Sequence, residues 1–170
     1  MKNEKIVTER LVLSPLEDKD LFEMSNLLLD SLIKKTYMIK DCSNEEELTN
    51  YFYRLKDLTH SEQHYSYGIY LHDVVIGFIN DVEIKDKNIE VGYFISSKHW
   101  NQGYASEALK AYIKELFRLG FNNVIAGFFD GNKASEKVMI KCGMTSIEKI
   151  DYINYRGENH LCRYYMISKD

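Results

Sequence analysis

Proline is almost absent from this chain of 170 residues: Pro15 is the only one. No low-complexity stretch, internal repeat or linker interrupts the sequence, and residues 1–170 read as one domain of ordinary length. Cysteine is scarce as well. Cys42, Cys142 and Cys162 are odd in number and lack any C-x-x-C spacing, which argues against a disulfide framework and for a reducing compartment. No run approaches the about 18 apolar residues of a membrane-crossing helix, and the opening MKNEKIVTER is too polar for a secretory signal. The expectation is a cytoplasmic protein with no membrane partner. Basic excess is missing too: 22 Lys and Arg against 26 Asp and Glu leave a formal net charge of −4. Nucleic acid, held by neutralising its phosphates on a basic face, is therefore not an expected partner.

What is present suits a globular fold rich in strands. Hydrophobic residues make up 45 % of the chain, with 13 Tyr and 8 Phe, and aromatics favour sheets and clefts. Thr8 to Leu13 predicts a first strand that ends at Ser14-Pro15. Leu21, Met24, Leu27 and Leu28 then repeat at helical spacing up to about Leu29, with Ser14 and Asp18 both able to cap that helix. Ser43-Asn44-Glu45-Glu46 reads as a capping box opening a second helix through Leu48, Tyr51, Phe52 and Leu55. The period then changes. Tyr65–Leu71 and Val74–Ile84 flank His72-Asp73 as a hairpin, and Ile89–Ile95 follows the turn Asp86-Lys87-Asn88. A helical stripe runs from Ala105 to Phe117 and closes at Gly120. Next come a strand at Asn123–Phe129, a helix at Lys133–Lys141 ended by Gly143, and two strands, Thr145–Tyr152 and Asn159–Ile167, joined at Arg156-Gly157. Strand–helix–strand demands a parallel pair and the hairpins demand antiparallel ones. The class expected is α+β, with a mixed, mostly antiparallel sheet.

The segment HWNQGYASEALKAYIKELF, residues 99–117, carries the clearest chemistry. Gly103 at a strand-to-helix junction lets the backbone bend and a ligand come close. The first amides of the helix have no internal partner and, with the positive end of the dipole, suit an anion. Taken by itself, the same pattern serves an ordinary helix start with a glycine turn. It is neither G-x-G-x-x-G nor a P-loop.

Trp100-Asn101-Gln102-Gly103-Tyr104-Ala105 resembles motif A of the GCN5-related N-acetyltransferases, whose signature runs Gln/Arg-x-x-Gly-x-Gly/Ala; Trp100 departs from the usual first residue. With Glu107-Ala108 the segment is similar to the ribosomal-protein-alanine N-acetyltransferase branch. Downstream, NKASEKVMIKCGM resembles that branch's second motif at Asn132, Ser135, Val138, Lys141, Gly143 and Met144. TERLVLSPL and YRGENHLCRYYMI extend the likeness over nearly the whole chain. The resemblance implies a central parallel pair that splays apart, flanked by about four helices. It also implies acetyl-CoA as co-substrate, no metal, and a primary amine as acceptor, whether a protein N-terminus or a small molecule. Backbone groups of Phe94 and Ile95 are expected on the pantetheine arm, amides of Gln102, Gly103, Tyr104, Ala105 and Ser106 on the pyrophosphate, and Asn132 with Ser135 near the sulfur. The protein is expected as a monomer or homodimer.

Transfer to an amine requires loss of its proton, since an alkyl ammonium with a pKa near 10.4 is charged at neutral pH. Glu90, where the family often places a glutamate, is the candidate base; a solvated strand residue is the alternative. Many relatives carry a Tyr where this chain has Met139, which cannot protonate the leaving thiol. Ser135, Tyr152 or a water is left for that role, and a non-catalytic acyl-CoA-binding module is the rival reading. His60 and His64 bracket Glu62 but lack a third ligand, so no metal site is expected. Cys142 reads as a small buried residue.

Overall fold

The computed structural model describes residues 4–170. Its strands are β1 (Ile6–Val7), β2 (Val12–Ser14), β3 (Tyr67–Leu71), β4 (Val74–Lys85), β5 (Asn88–Ile95), β6 (Asn123–Phe129), β7 (Thr145–Tyr155) and β8 (Glu158–Ser168). They form one sheet in the order β1-β2-β3-β4-β5-β6-β8-β7. The helices are α1 (Leu21–Leu28), α2 (Ser31–Lys34), α3 (Glu45–His60), α4 (Tyr104–Arg118) and α5 (Lys133–Lys141). The mixed, mostly antiparallel sheet follows the sequence reading. Among the described residues, β5 and β6 make the parallel pair, and the other neighbours are antiparallel.

Side chains alternate across each strand and so build a core on either face. On one face Ile69, Ile79, Ile89 and Val91 meet Leu109, Tyr112, Ile113 and Leu116 of α4 and Met139 of α5. On the other, Phe78 and Phe94 meet Met24, Leu27 and Leu28 of α1, Ile33 of α2 and Phe52 of α3. Two hairpins turn where positive φ is tolerated, at His72-Asp73 (φ 48° and 63°) and Arg156-Gly157 (φ 54° and 80°), the sign that two-residue hairpins require.

Three expectations are corrected, and one helix is added. The first strand does not run from Thr8 to Leu13, because Thr8 closes a turn: its N–H donates to Leu11 O at 2.9 Å and its hydroxyl accepts the Leu11 N–H at 2.9 Å. The first helix is capped neither by Ser14 nor by Asp18. Glu17 and Asp20 form a reciprocal box around a 3₁₀ turn, and α1 follows it. The second helix is capped one residue later than read and without a reciprocal box: the Asn44 side chain accepts the Glu47 N–H, while the Glu47 carboxylate accepts the N–H of Ser43, the residue before the cap. Helix α2 was not foreseen; its four residues are too few for a period to show, and its N-cap Asp30 holds the Leu32 and Ile33 amides.

Candidate active site

Strands β5 and β6 stay in register from Asn88↔Asn123 to Val91↔Ala126 and no further. Beyond that point they diverge, leaving the end of β5 without its parallel neighbour. The β4–β5 pairing decides which backbone groups face the gap. Ser96 N–H donates to Ile76 O, and register places Phe94 opposite Phe78 and Gly92 opposite Asn80. Bonded pairs alternate along an antiparallel ladder, so Phe94 turns its amide and carbonyl toward β4, while Tyr93 and Ile95 turn theirs toward the gap. The Ile95 carbonyl is already taken by the Trp100 indole N–H at 2.8 Å. Its amide faces the gap together with the peptide groups of Tyr93.

A cavity of about 470 Å³ opens here. Tyr93, Phe94 and Ile95 form one wall, Gly103, Tyr104, Ala105 and Ser106 a second, and Asn132, Ser135, Lys137, Val138 and Lys141 a third. Ile33 and Thr36 reach it from the opposite side of the sheet. Two lysines line it and no carboxylate does, in a chain of net charge −4. The start of α4 lies in this wall, with Gly103 in the left-handed region at φ 81°. Asn132 caps α5 by accepting the Ser135 N–H at 3.3 Å. Gln102, expected among the anion ligands, lies outside the wall, and its carbonyl accepts from Arg10.

Two side-chain atoms buried in the cavity wall have no hydrogen-bond partner, Tyr93 Oη and His99 Nδ1. Burial pushes the Tyr93 hydroxyl well above tyrosine's ordinary pKa; the nearby Ser135 hydroxyl tempers that rise without completing a well-formed bond. Leaving such groups unpaired costs about 1–3 kcal/mol each. Tyr93 shares its strand face with Ile89, Val91 and Ile95, and the sequence reading did not single it out. The signal was a tyrosine among those aliphatic side chains.

Glu90 lies outside the cavity wall, on the same sheet face as Gly92 and Phe94. Its side chain is 17 % exposed and pairs with Lys149 Nζ at 3.4 Å. Burial raises its pKa above the ordinary carboxylate range, Lys149 opposes the rise, and Glu83 and Asp151 add to it. Between Glu90 and the cavity stands Tyr37, a residue the sequence did not single out. A Cβ on Gly92 would come within 3.3 Å of its ring, which also meets Phe94 edge-on at 4.8 Å. The Tyr37 hydroxyl donates to Asn80 Oδ1 at 2.6 Å, and burial lifts its pKa far above the usual tyrosine value, so it acts as a donor and not as a base.

The remaining candidates separate cleanly. Met139 is 1 % exposed in the core below α4 and does not reach the cavity. Tyr152 is 73 % exposed and outside the wall, so of the two named hydroxyls only Ser135 lies within it. His60 Nε2 is bonded to Leu16 O and His64 Nδ1 to Asp81, so the two histidines serve different partners. Among the described residues no three His, Cys, Asp or Glu side chains group as metal ligands. The Cys142 thiol is pushed up to about 11 by burial, which keeps it protonated and unreactive. No described helix is long and apolar enough to cross a membrane.

A parallel pair whose register ends early, a glycine-led helix start in a cavity without carboxylates and a half-buried carboxylate nearby fit an acyltransferase. The chain belongs to the acetyltransferase (GNAT) domain family, whose sequence model matches residues 10–145. It is similar to the protein YkkB of Bacillus subtilis (strain 168), 31 % identical over 151 residues that cover 82 % of this chain and 84 % of that one. The GNAT-family acetyltransferase structure from Bacillus anthracis superposes with a TM-score of 0.83 at 26 % identity, covering 97 % and 98 % of the two chains. The structure of RimL, a ribosomal L7/L12 alpha-N-protein acetyltransferase in complex with coenzyme A, shares the fold at a TM-score of 0.83 and 19 % identity, over 97 % and 98 %. The protein is an N-acetyltransferase of this family.

Proposed function

We propose that residues 1–170 act as one acetyltransferase domain that seats acetyl-CoA in the cavity beside β5 and passes the acetyl group directly to a primary amine. One observation carries the seating: the cavity joins the amides at the start of α4 to Lys137 and Lys141 with no carboxylate in its wall. Gly103 through Ser106 hold the pyrophosphate. The Ile95 amide, free of β4, meets the pantetheine arm, and the Phe94 contribution is its side chain in the wall. Asn132 and Ser135 lie by the sulfur, and Ser135 with Tyr93 offers hydroxyls to the departing thiolate.

The acceptor approaches from the face of α1, α2 and α3, where Ile33 and Thr36 reach the cavity. Glu90 receives the amine proton through a water, because Tyr37 fills the direct line above Gly92. Glu83, Glu90 and Asp151 surround that region, a charge set that suits a cationic amine. A protein N-terminus, the group that RimL's name assigns to that enzyme, and a small amine share this chemistry.

Ligand that binds only the folded state stabilises it by about 2.7 kcal/mol at a hundredfold excess over its dissociation constant. Acetyl-CoA is expected to raise the melting temperature by several degrees, NAD and ATP to leave it unmoved. An amine panel is expected to release free CoA. No shift with millimolar acetyl-CoA overturns the seating, and a shift without CoA release from any amine leaves a binding module.

A further inference from the structure

Arg10 lies in the turn between β1 and β2, far in sequence from the anion-binding loop, yet it is fastened to that loop at four points. Its Nε donates to Glu107 Oε2 at 2.7 Å and its backbone N–H to Glu107 Oε1 at 2.8 Å. Its Nη1 donates to the Gln102 carbonyl at 2.9 Å, and its guanidinium lies 4.4 Å over the Tyr104 ring. Nη2 is 3.2 Å from where a Cβ on Gly103 would stand. Arg10 and Gln102 are outside the cavity wall, while Gly103 is in it. The guanidinium therefore works from behind the loop.

The peptide joining Gln102 to Gly103 is trans, so its C=O and N–H point in opposite directions. With the carbonyl drawn back to Arg10, the Gly103 N–H is aimed forward into the cavity. Nothing local enforces that choice. A glycine accepts either orientation of the peptide before it, and Asn101 already holds a positive φ of 60°. The planar fork of arginine can bond a carboxylate and a carbonyl at once while stacking on a ring; a lysine ammonium cannot.

We infer that Arg10 is a positioning residue for acetyl-CoA: by holding the Gln102 carbonyl it points the Gly103 amide at the pyrophosphate. This rests on the pyrophosphate seat proposed above. Two donors separate the claims, acetyl-CoA and S-acetylpantetheine, which keeps the thioester and loses the pyrophosphate. The wild-type enzyme is expected to prefer acetyl-CoA in kcat/KM. If it uses both donors equally, the seat itself is wrong and the inference falls with it.

Given that preference, Arg10→Ala is expected to raise KM for acetyl-CoA about tenfold, the scale of losing one hydrogen bond to a charged donor or acceptor. Its kcat should stay within about twofold, as should its kcat/KM with S-acetylpantetheine. Arg10→Lys is expected to remain near the alanine variant. Thr8→Val supplies the control for general destabilisation. It removes the 2.6 Å bond from Thr8 to Glu107 and the 2.9 Å bond that the Thr8 hydroxyl accepts from the Leu11 N–H, while the Arg10 bond to the Gln102 carbonyl keeps both its partners, so it should lower the melting temperature and leave donor preference intact. Equal losses on both donors in Arg10→Ala overturn the inference, as does a Thr8→Val preference that falls as far, or full recovery in Arg10→Lys.

Discussion

Replacing Glu90 by Gln keeps the shape of the side chain and removes its ability to take a proton. A general base contributes about 10²–10⁴ in rate, so kcat is expected to fall at least tenfold at neutral pH. The Michaelis constant for acetyl-CoA should barely move, since Glu90 lies outside the cavity wall. The pH dependence carries the sharper test. Burial, Glu83 and Asp151 raise the Glu90 pKa against the pull of Lys149. Only the ionised form is a base, so wild-type activity should fall with acid at a pH above the ordinary glutamate value of about 4.3. Lys149→Met, which removes the opposing cation 3.4 Å away, should move that limb to higher pH. The loss in Glu90→Gln should shrink at alkaline pH, where solvent strips the acceptor unaided. Stability should run the other way. A carboxylate whose folded pKa is raised contributes stability below its unfolded pKa and loses it as pH rises through the folded value. At neutral pH the ionised form is the destabilised one, so Glu90→Gln should melt no lower than wild type. Steady-state rates from about pH 6 to 9, with calorimetry on the same samples, decide the matter. A kcat within twofold of wild type throughout refutes the role of Glu90. A large drop in melting temperature would mean that the variant reports on packing.

Two further perturbations address the cofactor and acceptor sides separately. Gly103→Asp places a side chain at φ 81°, costing about 1–2 kcal/mol for the left-handed backbone, crowds Arg10 Nη2 at 3.2 Å and sets a negative charge at the anion seat; it should largely abolish acetyl-CoA binding in calorimetry while circular dichroism stays native-like, and unchanged affinity would put the anion elsewhere. Tyr155→Phe removes a hydroxyl that donates to Lys34 O at 2.7 Å and accepts the Ile39 N–H at 3.3 Å; it should lower stability by about 1–2 kcal/mol and raise KM for the amine without changing KM for acetyl-CoA, and an unmoved amine KM would separate this contact from the acceptor cleft.

Local signals carried the fold a long way. Asn123–Phe129 and Lys133–Lys141 match their sequence-derived bounds residue for residue, because a period, a cap and a closing glycine all lie within a few residues of one another. Where the reading slipped, the deciding interaction was a side chain bonded to nearby backbone that no hydrophobic period registers. Thr8 breaks its strand through one hydroxyl, and Asp30 starts α2 through one carboxylate. Asp30 also shows how a local cap gains a distant purpose: it accepts from Ser97 Oγ at 2.5 Å, tying α2 to the segment that leads into the cofactor loop. Burial works to raise its pKa, yet the bonds from Ser97, Leu32 and Ile33 outweigh burial and leave it below the usual aspartate range.

The site divides along the same line. That Gly103, Ala105, Ser106, Asn132 and Ser135 line one cavity was foreshadowed because a helix start and its cap are written in consecutive residues, and the fold needs only to bring two such starts together. The directions of the Phe94 and Ile95 peptides were not legible. They depend on which pairs of the β4–β5 ladder exchange hydrogen bonds, and a bulge between Asp81 and Glu83 stands in that ladder. Tyr37 and Arg10 were further out of reach, since each acts across the fold, Tyr37 from the loop after α2 and Arg10 from the turn before β2. A short motif can state that an anion binds; which way each amide points is decided by residues that share no local pattern with it. For this enzyme the distinction has a chemical consequence. On the function proposed above, the cavity wall holds acetyl-CoA, whereas proton removal from the amine rests on Glu90, with Lys149 3.4 Å away and Tyr37 beside Gly92, brought together from β5, β7 and the loop after α2.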